Sequence, residues 1–253
     1  MIPAAFSLQT LQQLSSDAPA YQQTTMKINI RLQAVKQAAE QMGMQAGLAA
    51  ESQVIDQQLE SHGEQLDSIF NFNLVMYHNN VLPPVIVKSD NNLQIGNNDH
   101  TIRVAGQTYR IIQDAQFVTA PPTWRQYLWM SYPEPQYPNE VLLPQNDAEQ
   151  QAWVTSVTQG WNEGVQQAIA IYHINLHKMV RDFDGMLQYK TMLLTHMVSP
   201  LYVTTYNNGI TGNANDMSVD DRTLTITSQP QLQLQSKLWK PVVVGPQTQG
   251  DAQ

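Results

Sequence analysis

His173 and His177 stand four residues apart in a stretch with helical spacing. Both imidazoles therefore fall on one helix face, the geometry in which two histidines can hold a metal ion. The residues between them are Ile174, Asn175 and Leu176, so the glutamate of the HExxH metalloprotease pattern is missing, and no third ligand lies nearby in sequence. A surface or packed histidine pair is favoured over a metal-dependent hydrolase. RDFDG, at 181–185, offers Asp182 and Asp184. Residues two apart on a helix are rotated by about 200°, so these carboxylates face opposite sides and cannot share a substrate. The stretch is expected to end a helix, with Arg181 and Gly185 at its terminus. NNGITGNANDMSVDD, at 207–221, has the composition of a binding loop but lacks the lysine of a phosphate loop. Counted from Asn213, the sixth and twelfth positions are Ser218 and Leu224, where a calcium loop of the EF-hand type needs Gly and Glu. A turn between strands is expected there, with opportunistic cation binding as the alternative. No GxSxG elbow gathers the Ser, His and Asp residues into a triad. With no cysteine in the chain, thiolate nucleophiles, thiolate zinc sites and disulfides are excluded. The expectation is a non-enzymatic protein with no catalytic, cofactor or metal residues.

FVTAPPTWRQYLW, at 117–129, is the stretch most concentrated in recognition chemistry. Phe117 and Val118 are predicted to end a strand, Pro121 and Pro122 to fix a turn, and Thr123 to cap a short helix carrying Trp124, Tyr127 and Leu128, with Trp129 as its possible extension. Burial of these aromatics against the preceding sheet is the leading reading. Partner contact is its main competitor, because Trp, Tyr and Arg dominate interface hot spots and Arg125 lies among them. A ligand pocket is third. Phe117, Trp124, Arg125, Tyr127 and Trp129 are thus the candidate interface or structural residues.

The elements that must position them follow from apolar spacing. From Thr25, apolar or small residues at Ile28, Leu32, Val35, Ala39, Met42, Ala46 and Ala49 describe one helix with a seam of coiled-coil type. Gly43 and Gly47 cost about 1 kcal/mol each inside a helix, so they need a packing reason, and they would let another backbone approach closely. SHG, at 61–63, interrupts, and a short helix resumes over LDSIFNF. Strands are predicted over 81–89, 101–106 and 107–114, with Gly106 at a turn, and over 201–206 and 222–227. The four prolines of YPEPQYPNEVLLP forbid a regular element. Asn146 or Asp147 caps a long helix whose face runs through Trp153, Val157, Trp161, Val165, Ile169, Tyr172, Leu176, Met179, Phe183 and Leu187. Unbroken to Met197 it would measure about 75 Å, against about 45 Å for a compact domain of this size. A break near Asp184-Gly185 or an elongated molecule is implied. The expected architecture is α+β, with long helices on a small, largely antiparallel sheet. Residues 1–23 are a flexible lead-in with a short helix, 24–240 one domain, and 241–253 a disordered tail.

Charged residues make up only 13% of the 253-residue chain, where a quarter is usual, and Gln and Asn supply roughly a fifth. The net charge of −8, with no basic stripe, argues against direct nucleic-acid binding. No apolar run approaches the roughly 18 residues of a membrane span, and the N-terminus has no signal-peptide pattern. A soluble chain is expected.

The succession NFNLVMYHNNVLPPVIV, TIRVAGQTYRI, AQFVTAPPTWRQYLWMSYPEP, LLPQNDAEQQAWVTSVTQGWNEGVQQA, LHKMVRDFDGMLQYKTML and MVSPLYV with GITG resembles the DotC family over about residues 30–240. DotC proteins are lipoproteins of the Dot/Icm type IVB secretion system, with relatives in IncI-type plasmid conjugation. The resemblance implies a structural subunit of the outer-membrane core complex, on the periplasmic face, supporting effector or conjugal translocation. It implies DotD-like and DotH-like partners and multiple copies in a ring. The family's lipidated N-terminal Cys and signal sequence do not occur here, so the chain is expected to be a trimmed form without its anchor. The family brings no catalytic residues to transfer. A periplasmic small-molecule binding module using the aromatic cluster, or less favourably a hydrolase using His173 and His177, is the alternative.

Overall fold

The computed structural model describes residues 7–15, 25–77, 80–95 and 102–240. They gather into two compact units, each assembled from two stretches of chain: Met1–Ile69 with Thr123–Met179, and Phe70–Pro122 with Val180–Gln253. Residues 241–253, the expected disordered tail, lie outside the described residues.

The first unit is helical. It contains α1 (Leu8–Gln12), α2 (Thr25–Ser61), α3 (Gly63–Ile69), α4 (Trp124–Leu128) and the first part of α5 (Asp147–Leu194). Asn146 caps α5, its side-chain oxygen accepting the Glu149 N–H at 2.9 Å. Glu149 is itself buried, and it accepts from Arg31 at 2.9 and 3.1 Å and from the Gln145 N–H at 2.9 Å. Arg31 also donates to the carbonyls of Val141 and Leu143, so the buried ion pair is closed by hydrogen bonds on both sides.

The core of this unit joins Leu11, Val35, Ala39, Met42, Ala46, Trp153 and Val157. The expected α2 seam is buried at Val35, Ala39, Met42 and Ala46, then passes to Ala50, with Ala49 half-buried beside it. Small residues let α2 and α5 touch backbone to backbone. A methyl group added at Gly43 would overlap the Val157 carbonyl, and one at Gly47 the Trp161 carbonyl. Reciprocally, Gly160 and Gly164 of α5 lie against the carbonyls of Glu40 and Met44. The predicted α5 face is accordingly displaced. Gly160, Gly164 and Ala168 occupy its buried centre, while Trp161, Val165, Ile169 and Tyr172 flank it half-buried. Within the lead-in, α1 is fastened rather than loose: the Trp153 indole donates to the Leu11 carbonyl at 2.9 Å and Gln150 to that of Gln12 at 2.8 Å.

The second unit carries the strands β1 (Val81–Leu82), β2 (Val85–Ile95), β3 (Ile102–Gln113), β4 (Gln116–Phe117), β5 (Tyr202–Gly212) and β6 (Met217–Ser228). They pair antiparallel as β1–β4, β2–β3 and β5–β6, three two-stranded ribbons in an α+β fold. Gly106 is not a turn: β3 runs through it, opposite Asn91, which takes the positive φ of 52°. Nor does α5 break near Asp184-Gly185. It continues for 48 residues, about 72 Å at 1.5 Å per residue. Gly185 is small because a methyl there would overlap the Val85 side chain on β2, so the glycine serves packing instead of termination. Leu187, predicted to face inward, is exposed, and Met186 and Tyr189 are buried in its stead. Ile86, Tyr189, Met192 and Val198 form one core of this unit, and Val81, Ala115 and Leu201 another.

Candidate functional site

The 117–129 aromatics are held in different ways. Phe117 lies on β4 in the second unit, paired with Val81 and 40% exposed. The other four candidates belong to the first unit. There the Gln126 side chain accepts the Thr123 N–H at 3.4 Å and closes the first turn of α4. This turn drives Trp124 and Leu128 inward, where both are fully buried. Within the first unit Trp124 packs on α3. Its indole N–H donates to Asp67 of α3 at 2.7 Å, and its ring edge passes Gly63, at the start of α3.

Downstream of α4 the chain has no regular structure until Glu140–Leu142, as its prolines require. It is instead pinned along α2 by side-chain acceptors that descend in number as the segment ascends. Arg125 pairs with Asp67 at 3.4 Å and Glu60 at 3.2 Å, the Met130 N–H meets Asp56 at 3.2 Å, and the Gln136 N–H meets Gln45 at 3.4 Å. The segment is thus an antiparallel strap on α2 and α3. Arg125 also lies 4.2 Å over the Trp124 ring, a cation–π contact at a partly exposed site. Burial pushes the Asp56 carboxyl above its ordinary value, with the Met130 N–H offsetting part of the rise.

The strap leaves other aromatic side chains partly outside. Tyr127 is half-buried, with the Lys178 ammonium 6.0 Å from its ring. Trp129 is 46% exposed beside an open groove of about 310 Å³ that Ala49, Gln53, Asp56, Met130 and Tyr132 help to line. A second groove, about 410 Å³ and largely apolar, runs over Ile55, Leu59, Leu66, Ile69 and Tyr172. These surfaces offer contact area.

His173 and His177 lie on an exposed face of α5 with ring centroids 6.5 Å apart. Among the described residues no group of three or more His, Cys, Asp or Glu is placed to hold a metal ion. Asp182 and Asp184 do face opposite ways: Asp182 is buried and accepts from Arg181 at 2.7 and 2.9 Å, while Asp184 is exposed. They sit mid-helix, however, so the expected terminus is absent. Most of the 207–221 stretch is strand, and its turn narrows to 213–216. There the Asn213 side-chain oxygen is occupied by the N–H groups of Asn215 and Asp216 at 2.9 and 3.2 Å.

Sequence reasoning missed the acceptors of the strap, Asp56, Glu60 and Asp67, and the second glycine pair of the α2–α5 contact. For the latter a signal existed: Gly43/Gly47 and Gly160/Gly164 have the same four-residue spacing. No described helix is long and apolar enough to cross a membrane. A family model described as type IV secretory system, conjugal DNA-protein transfer, matches residues 29–241. No curated protein matches the chain.

Proposed function

Because the chain belongs to the type IV secretory system, conjugal DNA-protein transfer family, we propose that it acts in such a system as a non-enzymatic structural subunit. The observation that carries this reading is the division of labour within one short segment. Trp124 and Leu128 anchor the strap in the core, and Trp129 is held outward on it beside a groove. A rigidly presented aromatic loses little side-chain entropy on docking, which is why Trp and Tyr concentrate at hot spots.

The finer placement rests on the resemblance to DotC. It is a subunit of the outer-membrane core complex, facing the periplasm, in contact with DotD-like and DotH-like chains and repeated around a ring. Capture from the envelope of cells carrying the whole apparatus tests it, with co-purifying chains identified by mass spectrometry. The expected result is recovery of other secretion subunits in fixed ratio. A chain recovered alone from such cells would refute the reading.

A further inference from the structure

The Asn-rich stretch at 207–221 holds the one Asn–Gly pair of the chain, Asn208–Gly209. Such a pair carries an intrinsic reaction. The backbone nitrogen of the second residue can attack the side-chain carbonyl carbon of the first, because glycine puts no side chain in the way. A bond forms between the Gly209 nitrogen and the Asn208 Cγ while the Cγ–Nδ2 bond breaks. The proton of the attacking nitrogen leaves with Nδ2 as ammonia. Water then opens the five-membered imide at either carbonyl, leaving aspartate or isoaspartate at position 208.

The second unit places this pair at an irregularity of the β5–β6 ribbon. Asn207 pairs with Arg222 and Gly209 with Asp221, so Asn208 is the extra residue of a bulge, and Gly209 takes the positive φ of 74°. Beyond the chain neighbours of Gly209, no atom lies within 4 Å of where its Cβ would stand. Both reacting groups are nevertheless occupied. The Gly209 N–H donates to the Asn207 Oδ1 at 2.9 Å. The Asn208 Nδ2 donates across the ribbon to the Asp221 Oδ2 at 3.2 Å and to the Thr223 Oγ1 at 2.9 Å. The first bond holds the proton that must leave, and the other two keep the carboxamide against β6. Asp221 is itself fixed by the Thr211 hydroxyl, which donates to it at 2.8 Å.

We infer that Asn208 is a latent deamidation site, masked in the folded chain by Asn207, Asp221 and Thr223 and opened when the tip of the β5–β6 ribbon loosens. A two-stranded ribbon is marginal in water, and local opening is how such elements fluctuate. Each opening frees the Gly209 nitrogen and the Asn208 carboxamide together. The change is one-way. The new carboxylate stands where Nδ2 met Asp221, so two like charges replace a hydrogen bond across the strands and the tip stays loose.

Ageing the purified chain in mildly alkaline buffer, folded or in urea, tests this by peptide mapping with mass spectrometry. In urea, Asn208 is expected to convert ahead of the other asparagines, and in the folded chain to lag far behind its rate in urea. Asn207→Ala and Asp221→Ala should each hasten conversion of the folded chain about fivefold, the effect of one hydrogen bond. Asn207, Asn208, Asp221 and Thr223 belong to neither core of the unit, so these variants should keep the wild-type circular dichroism. Thr223→Val repeats the test with side-chain shape conserved. Asn208→Gln, whose longer side chain closes an imide ring far more slowly, should give no product at this position. An Asn208 that stays intact in urea would overturn the site. A folded wild type converting as fast as the denatured chain, or folded variants ageing at the wild-type rate, would overturn the mask.

Discussion

Side chains a few residues apart in the 124–136 strap have opposite duties, and substitution separates them. Trp124→Ala removes a fully buried ring and one of Asp67's hydrogen-bond donors, so a loss of about 3–5 kcal/mol is expected in chemical denaturation. Asp56 gives a pH-dependent test. Burial raises its folded-state pKa above 3.8, so the folded form holds its proton to higher pH than the unfolded chain does. Stability from this site is therefore full below pH 3.8 and is lost as pH rises through the raised value. Asp56→Asn keeps an oxygen for the Met130 N–H and removes the titration. It should melt above the wild type at pH 7 and level with it near pH 3, and a gap that widens toward acid would contradict this account. At this scale the sequence was legible where chemistry is local. Asn146 as a cap, Thr123 opening a short helix and the opposed Asp182 and Asp184 all follow from dihedral and rotational rules. The neighbours of Trp124 did not, because Asp67 is 57 residues away and no local rule links them.

At the scale of elements, the α2–α5 contact turns glycine from a liability into a requirement. Helix propensity alone predicts that Gly43→Ala and Gly160→Ala each stabilise by about 1 kcal/mol. The added methyl groups would meet backbone carbonyls, which cannot rotate away, and overpacking of this kind costs about 1–3 kcal/mol. Both variants are therefore expected to lower the melting temperature. Gly106→Ala is the control: nothing lies within 4 Å of its added methyl and its φ is not positive, so this change should be neutral or stabilising. If all three glycine variants behaved alike, propensity and not contact would govern them. Both long helices were legible in apolar period, because period reports which side is buried. What lies opposite was not. Gly160 and Gly164 are invisible to a pattern that scores bulk, so Trp161 and Val165 were placed at the centre of a face they only flank. Gly106 and Gly185 show the same ambiguity, since a glycine marks a turn, a terminus or a close approach, and only the partner element decides which.

Across the whole molecule, membership of a type IV secretion family was legible in the sequence. The contact surfaces were not, because exposure is a property of the folded chain. Of the five residues singled out at 117–129, Trp124 is wholly internal, Arg125 is tied to Glu60 and Asp67, Tyr127 is half-buried, and Phe117 and Trp129 are exposed. Hot-spot energy is realised only by a side chain that reaches the partner and is desolvated by it, so the proposed assembly role would put the docking weight on Trp129. Replacing an exposed aromatic leaves folded-state stability nearly unchanged, within about 0.5 kcal/mol. Trp129→Ala should accordingly keep the wild-type denaturation midpoint while recovering less of the other secretion subunits from envelopes. Trp124→Ala should lose both together, since the strap that presents Trp129 is anchored through it. The two variants distinguish a surface that assembles from a core that merely folds. If Trp129→Ala captured partners as well as the wild type did, the docking surface would have to be sought away from the strap, and the apolar groove over Ile55, Leu66 and Ile69 would be the next place to substitute.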